Sequence, residues 1–199
     1  MTYFSLENIY LKKLFPDFVL FVTYFKNLFS KNLKYITVNN NGINLYLREF
    51  KLDVFFFLKK HHLFQYKQLV DLIVVDKITK TQRFVLIYTF LSVKYNFRVT
   101  VYSSINELQH VPTLTKIYAS ASWSEREVWD LFGIFFSENL DLRRLLTDYG
   151  FDGHPLRKDF PLTGFVELFF NDSKQSLYYT PVTLTQEYRN FIFINPWLK

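Results

Sequence analysis

The chain has 199 residues, 49% of them hydrophobic and 21% aromatic, which suits one globular domain with an extension and an aromatic-rich core. It contains no Cys, which excludes disulfides, thiolate zinc sites and cysteine-ligated iron–sulfur clusters. The net charge of the chain is +6, and its positive excess lies in residues 1–111, which contain 15 Lys and Arg and 7 Asp and Glu. These basic residues form no dense run, so a uniform nucleic-acid-binding tail is excluded.

Hydrophobic spacing and turn residues predict the elements at the start of the chain. A helix is predicted over residues 6–28, with Pro16 as a candidate break, because apolar side chains recur at about every 3.6 positions. The stretch from Asn39 to Gly42 predicts a β-hairpin, since Asn and Gly tolerate the positive φ of tight turns.

The same spacing rules predict a second helix and three more strands. The helix is predicted over residues 52–61, with Val54, Phe57 and Leu58 packed inward. The strands are predicted over residues 66–75, 84–91 and 98–102.

This order of elements is typical of an α+β fold, with helices packed on a mostly antiparallel sheet. A short capped helix and an extended C-terminal tail are predicted to follow, and Val111-Pro112 is predicted to end the first run of elements. We predict a globular α+β domain over residues 1–135 and an extended partner-wrapping tail over residues 136–199. The tail contains a candidate hairpin at residues 165–179.

No stretch predicts a membrane span or a targeting segment. The best apolar run, residues 18–25, is far shorter than the roughly twenty residues that a spanning helix needs. We therefore expect a soluble or peripheral protein that is made where it works.

The stretch after residue 120 predicts a short helix with two candidate capping boxes. Ser122 and Ser124 each stand three residues before a glutamate, Glu125 and Glu127 respectively. In a capping box the serine and the glutamate satisfy free backbone amides at the helix start. Both glutamates are therefore expected to have a capping role rather than a catalytic one, and on a helix their side chains diverge.

The other positions of this helix predict its two faces and its end. Arg126 and Asp130 are four residues apart, which predicts an ion pair on the exposed face. Gly133 is placed to end the helix. The buried stripe is predicted to consist of Val128, Trp129 and Phe132.

The remaining polar residues give no catalytic or metal-binding pattern. His61 and His62 are adjacent and would diverge by about 100° on a helix, which makes a poor metal pair. His154 stands in a Gly-His-Pro turn without a Ser or Cys nucleophile pattern, so a structural role is favoured. The basic residues Arg143, Arg144, Arg157 and Lys158 alternate with aspartates, which favours ion pairs over a phosphate site.

The stretches EREVWDLFGIFF and LRRLLTDYGFDGHPLRKDFPL resemble the signature region of the thirty-kilodalton subunit of respiratory complex I. This family is called NADH dehydrogenase subunit 9 where mitochondria encode it. The resemblance runs from Trp123 to Leu162, and the earlier LSVKYNFRVTV fits the strand pair that precedes the signature. At Asn139-Leu140 the chain departs from the family, which usually has His-Pro there, so any role for an imidazole at this position is in doubt.

The resemblance implies a non-catalytic structural and assembly subunit of proton-translocating NADH:ubiquinone oxidoreductase. The subunit would dock onto the forty-nine-kilodalton subunit in the hydrophilic arm, near the quinone module. Iron–sulfur clusters, FMN and ubiquinone would lie on partner subunits, and this chain would hold no catalytic, cofactor-binding or metal residues. It would be peripheral to the mitochondrial inner membrane on the matrix side, encoded in the organelle, and would bind no nucleic acid.

The resemblance also implies a partner interface across the signature region. Its expected residues are Glu125, Arg126, Glu127, Asp130, Phe132, Gly133, Arg143, Arg144, Asp148, Tyr149, Gly150, Phe151, Gly153, His154, Pro155, Leu156, Arg157, Lys158, Asp159, Phe160 and Pro161. The alternative from a different class is a basic, aromatic-rich organellar RNA-binding or ribosomal protein, based on the positive charge of residues 1–111.

Overall fold

The computed structural model describes residues 16–39 and 42–191, together with Phe193, Asn195 and Trp197. The first part of the helix predicted over residues 6–28 therefore lies outside the described residues. The chain divides into two compact units, Met1–Asp159 and Phe160–Lys199.

The first unit contains three helices and seven strands among its described residues. The helices are α1 (Pro16–Leu28), α2 (Leu52–Lys60) and α3 (Ala121–Phe132). The strands are β1 (Leu33–Asn39), β2 (Gly42–Leu47), β3 (Gln68–Asp76), β4 (Phe84–Ser92), β5 (Phe97–Ile105), β6 (Val111–Pro112) and β7 (Phe136–Ser137).

Strands β1 to β5 form one sheet in the order β1-β2-β5-β4-β3. The pairs β1–β2, β3–β4 and β4–β5 are antiparallel. The parallel pair β2–β5 joins the β1–β2 hairpin to the three-stranded meander β3–β4–β5. The α+β fold with a mostly antiparallel sheet is thus confirmed. The hairpin predicted at Asn39–Gly42 is also present, as β1 and β2.

The core lies on the sheet face that α2 and α3 cover, and aromatic rings fill much of it. Phe55 of α2 packs edge-on against Tyr88 of β4, with ring centroids 5.3 Å apart. Burial of each such side chain stabilises the fold by about 2 to 3 kcal/mol. The buried side chains of α2 are Val54, Phe55 and Leu58, which recur at helical spacing. Phe57, which was expected to pack inward, is partly buried and contacts Phe25 of α1, with ring centroids 6.2 Å apart.

The segment after Ile105 continues the first unit past Val111-Pro112, where the first run of elements was expected to end. Strand β6 pairs in parallel with β7, with Val111 opposite Phe136, and both side chains are buried. Val111-Pro112 therefore continues the core instead of ending it. Residues 136–159, which were expected to begin the extended tail, belong to the first compact unit, since strand pairing and buried polar contacts hold them there. The partner-wrapping role of the tail stays a prediction.

The second unit contains an antiparallel hairpin of β8 (Val166–Asn171) and β9 (Ser176–Pro181). It lies where the sequence predicts a hairpin. Large apolar side chains on both of its faces are exposed, among them Leu168, Phe169 and Tyr179. No helix among the described residues combines the length and the apolar character that crossing a membrane requires.

Candidate functional site

The start of α3 differs from the predicted capping boxes. The N-cap residue is Ser120, and its side chain makes no capping hydrogen bond. Glu125 points inward and is fully buried, whereas Glu127 is exposed. The capping prediction is wrong for Glu125 because donors that lie elsewhere in the chain satisfy its carboxylate in the interior.

Glu125 ties three segments together. Its Oε2 accepts hydrogen bonds from the Thr113 hydroxyl at 2.6 Å and from the Asn139 side-chain amide at 2.9 Å. Its Oε1 accepts the backbone N–H of Leu114 at 2.7 Å. Burial raises the pKa of Glu125, and these three hydrogen bonds offset only part of that effect. Asn139, the position where the chain departs from the family pattern, therefore has a definite role as a neutral donor to a buried carboxylate.

Asp130 holds the loop after β7 in place. Its Oδ2 accepts the backbone N–H groups of residues 145–147 at 3.0, 2.6 and 2.8 Å. Its Oδ1 accepts the Thr147 hydroxyl at 2.7 Å and an Arg144 N–H at 3.3 Å. Burial alone would raise the pKa of Asp130, but the Thr147 hydroxyl and the three backbone amides outweigh it and bring the pKa to about 2.

The predicted exposed pair of Arg126 and Asp130 is absent because both side chains are buried and face different partners. The Arg126 Nε donates to the Arg143 carbonyl oxygen at 3.2 Å, and its guanidinium lies 5.1 Å from the centre of the Trp123 ring. Arg143 itself is exposed and makes a bidentate pair with Asp141, at 2.7 and 3.0 Å.

The C-terminus of α3 is closed by the segment that carries the Gly-His-Pro turn. Gly133 ends the helix in the left-handed region, with φ +72°, so this prediction is confirmed. The last carbonyl oxygens, of residues 130–132, accept hydrogen bonds from the His154 Nδ1–H at 2.9 Å, the Leu156 N–H at 3.1 Å and the Arg157 Nε at 2.5 Å. At a helix end these carbonyl groups have no hydrogen-bond donors inside the helix. Here the Leu156 backbone amide and the side chains of His154 and Arg157 are their donors.

A buried arginine network anchors the end of the same segment to the β3–β4 hairpin. Arg83 makes a bidentate pair with Asp76, at 2.9 and 3.0 Å, and also contacts Asp159 at 2.9 Å and Glu107 at 3.2 Å. Hydrogen bonds from Arg83 lower the pKa of Asp76 and of Asp159, and the pKa of Arg83 is raised in return.

Arg157 joins this network from the loop side. Its Nη1 donates to Glu107 at 2.8 Å, and its guanidinium lies 5.5 Å from the centre of the Phe84 ring. The backbone N–H of Lys158 donates to the Asp76 carboxylate at 3.0 Å. The basic residues of the signature region thus form ion pairs and hydrogen bonds inside the chain.

The structure divides the expected interface residues into two groups within the first unit. Those that are buried or half-buried there are Glu125, Arg126, Asp130, Phe132, Gly133, Arg144, Phe151, Gly153, His154, Pro155 and Arg157. Those that are exposed are Glu127, Arg143, Asp148, Tyr149, Gly150, Leu156, Lys158 and Asp159. Phe160 and Pro161 belong to the second unit. Whether any of these residues contacts a partner stays a prediction.

Sequence reasoning missed the residues that complete the site from a distance. They are Asp76, Arg83, Glu107, Thr113 and Asn139. Most of these contacts have no local spacing that reveals them, since 12 positions separate Thr113 from Glu125 and 82 positions separate Asp76 from Lys158. The one available signal was the pairing of β3 with β4, which brings Asp76 and Arg83 to the same end of a hairpin.

The polar side chains of the site are engaged by partners within the chain. Hydrogen-bond donors occupy both oxygens of Glu125 and of Asp130, and His154 uses its Nδ1 on a backbone carbonyl group. Within the described part of the chain, no group of three or more His, Asp or Glu side chains is placed to hold a metal ion. The fold and the site together define an α+β domain in which the carboxylate of Asp130 on α3 accepts the backbone amides of the loop after β7.

Comparison with known proteins gives a consistent family. Residues 48–166 match the model of the family described as respiratory-chain NADH dehydrogenase, 30 Kd subunit. NADH-ubiquinone oxidoreductase subunit 9 of Reclinomonas americana is 50% identical over 140 residues, which cover 70% of this chain and 69% of that protein. Subunit 9 of Acanthamoeba castellanii is 42% identical over 185 residues, which cover 91% of this chain and 94% of the relative.

One solved structure supports the fold alone. It is a chain of the membrane-bound sulfane sulfur reductase, an archaeal respiratory membrane complex, with a TM-score of 0.58 and 22% identity. The alignment covers 69% of this chain and 83% of that chain. From the family match and the two relatives, the chain belongs to the family of the 30 kDa subunit of respiratory-chain NADH dehydrogenase.

Proposed function

We propose that this chain is a non-catalytic structural and assembly subunit of NADH:ubiquinone oxidoreductase. In this proposal it docks onto the forty-nine-kilodalton subunit in the hydrophilic arm, near the quinone module. The docking surfaces are the loop after β7 and the C-terminal tail. The family and the names of the relatives support the complex, and the arrangement of the loop supports the docking role.

The observation that carries the proposal is the way Asp130 presents the loop. Because its carboxylate binds the backbone amides of residues 145–147, we expect the loop to be ordered before any partner arrives. A preordered loop loses less conformational entropy on binding than a flexible one. The side chains of Leu146, Tyr149 and Leu156 nevertheless point to solvent, and Tyr149 is 97% exposed. A fixed backbone with exposed apolar side chains is typical of a binding surface.

The hairpin of the second unit supports the same role. An isolated two-stranded hairpin is marginally stable in water, since one of its faces usually needs a surface to cover it. Here large apolar side chains are exposed on both strands, including Phe169 and Phe170 of β8 and Leu177 and Tyr179 of β9. Burial of this hairpin against a partner would remove that apolar surface from water and stabilise both proteins.

The proposal also covers the redox groups and the location. With no Cys in the sequence, this chain offers no thiolate ligands for a cluster, which supports a position of the iron–sulfur clusters on partner subunits. We propose the same position for FMN and ubiquinone. The chain would act at the matrix side of the mitochondrial inner membrane as part of the complex. The name of a relative in Neurospora crassa, a mitochondrial 30.4 kDa subunit, supports the mitochondrion as the compartment. The comparisons give the RNA-binding alternative no support.

Substitution of Tyr149 by Ala tests the docking role, because the side chain is too exposed to matter for this chain's own fold. In cells where this chain is the resident subunit, we expect the abundance of assembled complex to fall by about fivefold or more. NADH oxidation per assembled complex should not change. Native gel electrophoresis and activity normalised to complex abundance measure the two quantities.

Leu108→Ala is the matched control, since Leu108 is also a large apolar side chain, is 90% exposed and lies outside the loop. It should leave both quantities unchanged. Normal abundance of the Tyr149→Ala complex together with a collapse of its specific activity would contradict the scaffold role.

A further inference from the structure

The sheet face opposite the core carries a stack of three tyrosine rings. Strands β1, β2 and β5 are neighbours in the sheet, and Tyr35, Tyr46 and Tyr102 lie directly opposite one another in its register. The ring centroids of Tyr35 and Tyr46 are 4.1 Å apart, and those of Tyr46 and Tyr102 are 4.5 Å apart. The next residues inward along β2 and β5, Leu45 and Val101, are fully buried, so the tyrosines point away from the core.

The hydroxyl groups of the three rings lie close together. Burial raises the pKa of Tyr102, and the hydroxyl groups of Tyr46 and Tyr35 raise it further. Burial and the Tyr46 hydroxyl likewise raise the pKa of Tyr35. The ring carbons on either side of a hydroxyl group, the ortho carbons, are therefore close to those of the neighbouring ring.

Tyr35 is the solvent-facing end of the stack. It lies on β1, an edge strand of the sheet, and its side chain is 47% exposed. Tyr46 and Tyr102 lie on inner strands and are half-buried. An oxidant in solution therefore reaches the Tyr35 ring most easily, and that ring has a free side toward which it can turn.

The composition favours tyrosine as a target of oxidation. The chain has no Cys and one Met, the sulfur-containing side chains that are commonly oxidised first. A phenol that loses one electron also releases its hydroxyl proton and becomes a neutral tyrosyl radical. Water at the exposed Tyr35 side chain can accept this proton. Two tyrosyl radicals with adjacent ortho carbons can then form a carbon–carbon bond.

We propose that Tyr35 and Tyr46 form an oxidative modification site, at which a one-electron oxidant such as an oxygen-centred radical joins them as dityrosine. Each ring gives one electron to the oxidant and its hydroxyl proton to water, and the two radicals couple through their ortho carbons. The hydrogens on these two carbons then move to the oxygen atoms, which restores both aromatic rings. Two equivalents of oxidant are reduced, two protons are released, and one C–C bond replaces two C–H bonds.

The same geometry disfavours other pairings. To form the bond, two rings must leave their stacked arrangement, and Tyr102 lies on β5 between β2 and β4, where neighbours on both sides restrict it. Tyr149 is 97% exposed, but no described aromatic ring packs against it, so its oxidation would join separate chains. None of the three stacked tyrosines belongs to the surfaces proposed for docking, so the two proposals are independent.

A chemical cleavage site between the two tyrosines gives a direct test. Asn41-Gly42 is the one Asn-Gly bond in the sequence, and hydroxylamine cleaves such bonds. The full chain is oxidised at low concentration with photogenerated tris(bipyridine)ruthenium(III), a one-electron oxidant, and is then cleaved in denaturant. On a denaturing gel, residues 1–41 should remain joined to residues 42–199 only in the oxidised chain. Mass spectrometry should show the tryptic peptide 35–48 lighter by two hydrogen atoms.

Four conservative variants assign the bond. Tyr35→Phe and Tyr46→Phe keep the stacked ring and remove its hydroxyl group, and each should lower the joined fraction by at least about tenfold. Tyr102→Phe removes a hydroxyl group from the same stack, and Tyr149→Phe removes an exposed one elsewhere. Both are matched controls that should leave the joined fraction unchanged.

Three results would overturn the proposal. Joined fragments that persist in both Tyr35→Phe and Tyr46→Phe would assign the bond to other tyrosines. Equal joining after oxidation in concentrated urea would show that the folded stack does not direct the reaction. Cross-linked dimers together with complete separation of the two fragments would show that oxidation joins separate chains and leaves the stack unchanged.

Discussion

Replacement of Asp130 by Asn tests whether one buried carboxylate holds the loop after β7. The change keeps the shape of the side chain and removes its charge. The remaining carbonyl oxygen can still accept the backbone N–H groups of residues 145–147, which Oδ2 accepts in the native chain. The new amide group, however, takes the place of Oδ1 and faces the Arg144 N–H, to which it offers no acceptor.

The magnitude follows from the pKa of Asp130 and from the lost acceptor. A pKa lowered from 3.8 to about 2 corresponds to about 2.5 kcal/mol of folding free energy at neutral pH. The side chain has no exposed surface, so solvent screening does not reduce this figure much. Arg144 also loses its carboxylate partner, although it keeps the Gly153 carbonyl oxygen at 2.9 Å. We therefore expect Asp130→Asn to lower the free energy of unfolding by about 3 kcal/mol.

Urea denaturation of the full chain at pH 7 measures this loss, and hydrogen exchange locates it. The amides of residues 145–147 should exchange at least about tenfold faster in the variant, while the amides of β4 and β5 keep their order of protection. Asp148→Asn is the matched control, because Asp148 is an exposed carboxylate one residue beyond the anchored amides. It should change the free energy of unfolding by less than about 0.5 kcal/mol.

The pH dependence gives an independent check with a defined sign. Because folding lowers the pKa of Asp130, its stabilising contribution is present above about pH 4 and disappears as the pH falls to about 2. The difference in stability between the native chain and Asp130→Asn should shrink over the same interval. If the variant matches the native chain at pH 7 and the three amides stay protected, the carboxylate does not hold the loop.

Two further predictions concern the same helix. Gly133→Ala should destabilise the chain by about 2 kcal/mol more than Gly150→Ala. Both glycines have positive φ, but only at position 133 would the new Cβ meet the His154 ring, at 2.5 Å. Urea midpoints compare the two variants. Glu125→Gln should become more stable relative to the native chain as the pH increases above 4.5. Folding raises the pKa of Glu125, so ionisation of this carboxyl group opposes folding of the native chain. Urea midpoints of both chains between about pH 4.5 and 7.5 test the sign of this difference.

The elements of the fold were predictable where the determining interactions are local. The hairpin at Asn39–Gly42 follows from residues that tolerate positive φ, and Gly42 indeed has φ +154°. The burial of Val54 and Leu58 follows from helical spacing. The pairing of β2 with β5 was not predictable in this way, because a parallel pair joins segments that are distant in the chain and has no turn signature of its own.

The site was harder to predict because local rules compete there with contacts from distant residues. Ser-x-x-Glu and Arg-x-x-x-Asp are genuine helix patterns, and both suggested exposed roles for Glu125 and Asp130. In the folded chain, Thr113 and Thr147 lie close enough to donate to these carboxylates, and burial follows. Gly133 was predictable because a helix end in the left-handed region is itself a local feature.

The charged residues of the signature region therefore act mainly on this chain's own structure. A hydrophobic residue in place of Asp130 would leave three consecutive backbone amides without an acceptor, and each unsatisfied amide costs about 1 to 3 kcal/mol. Three N–H groups that converge on one oxygen also permit few backbone conformations, so Asp130 fixes the path of the loop as well as its stability. That path places the side chains of Leu146 and Tyr149 in solvent. Contact with a partner through this loop would thus depend on exposed apolar side chains, while the buried charges determine where those side chains stand.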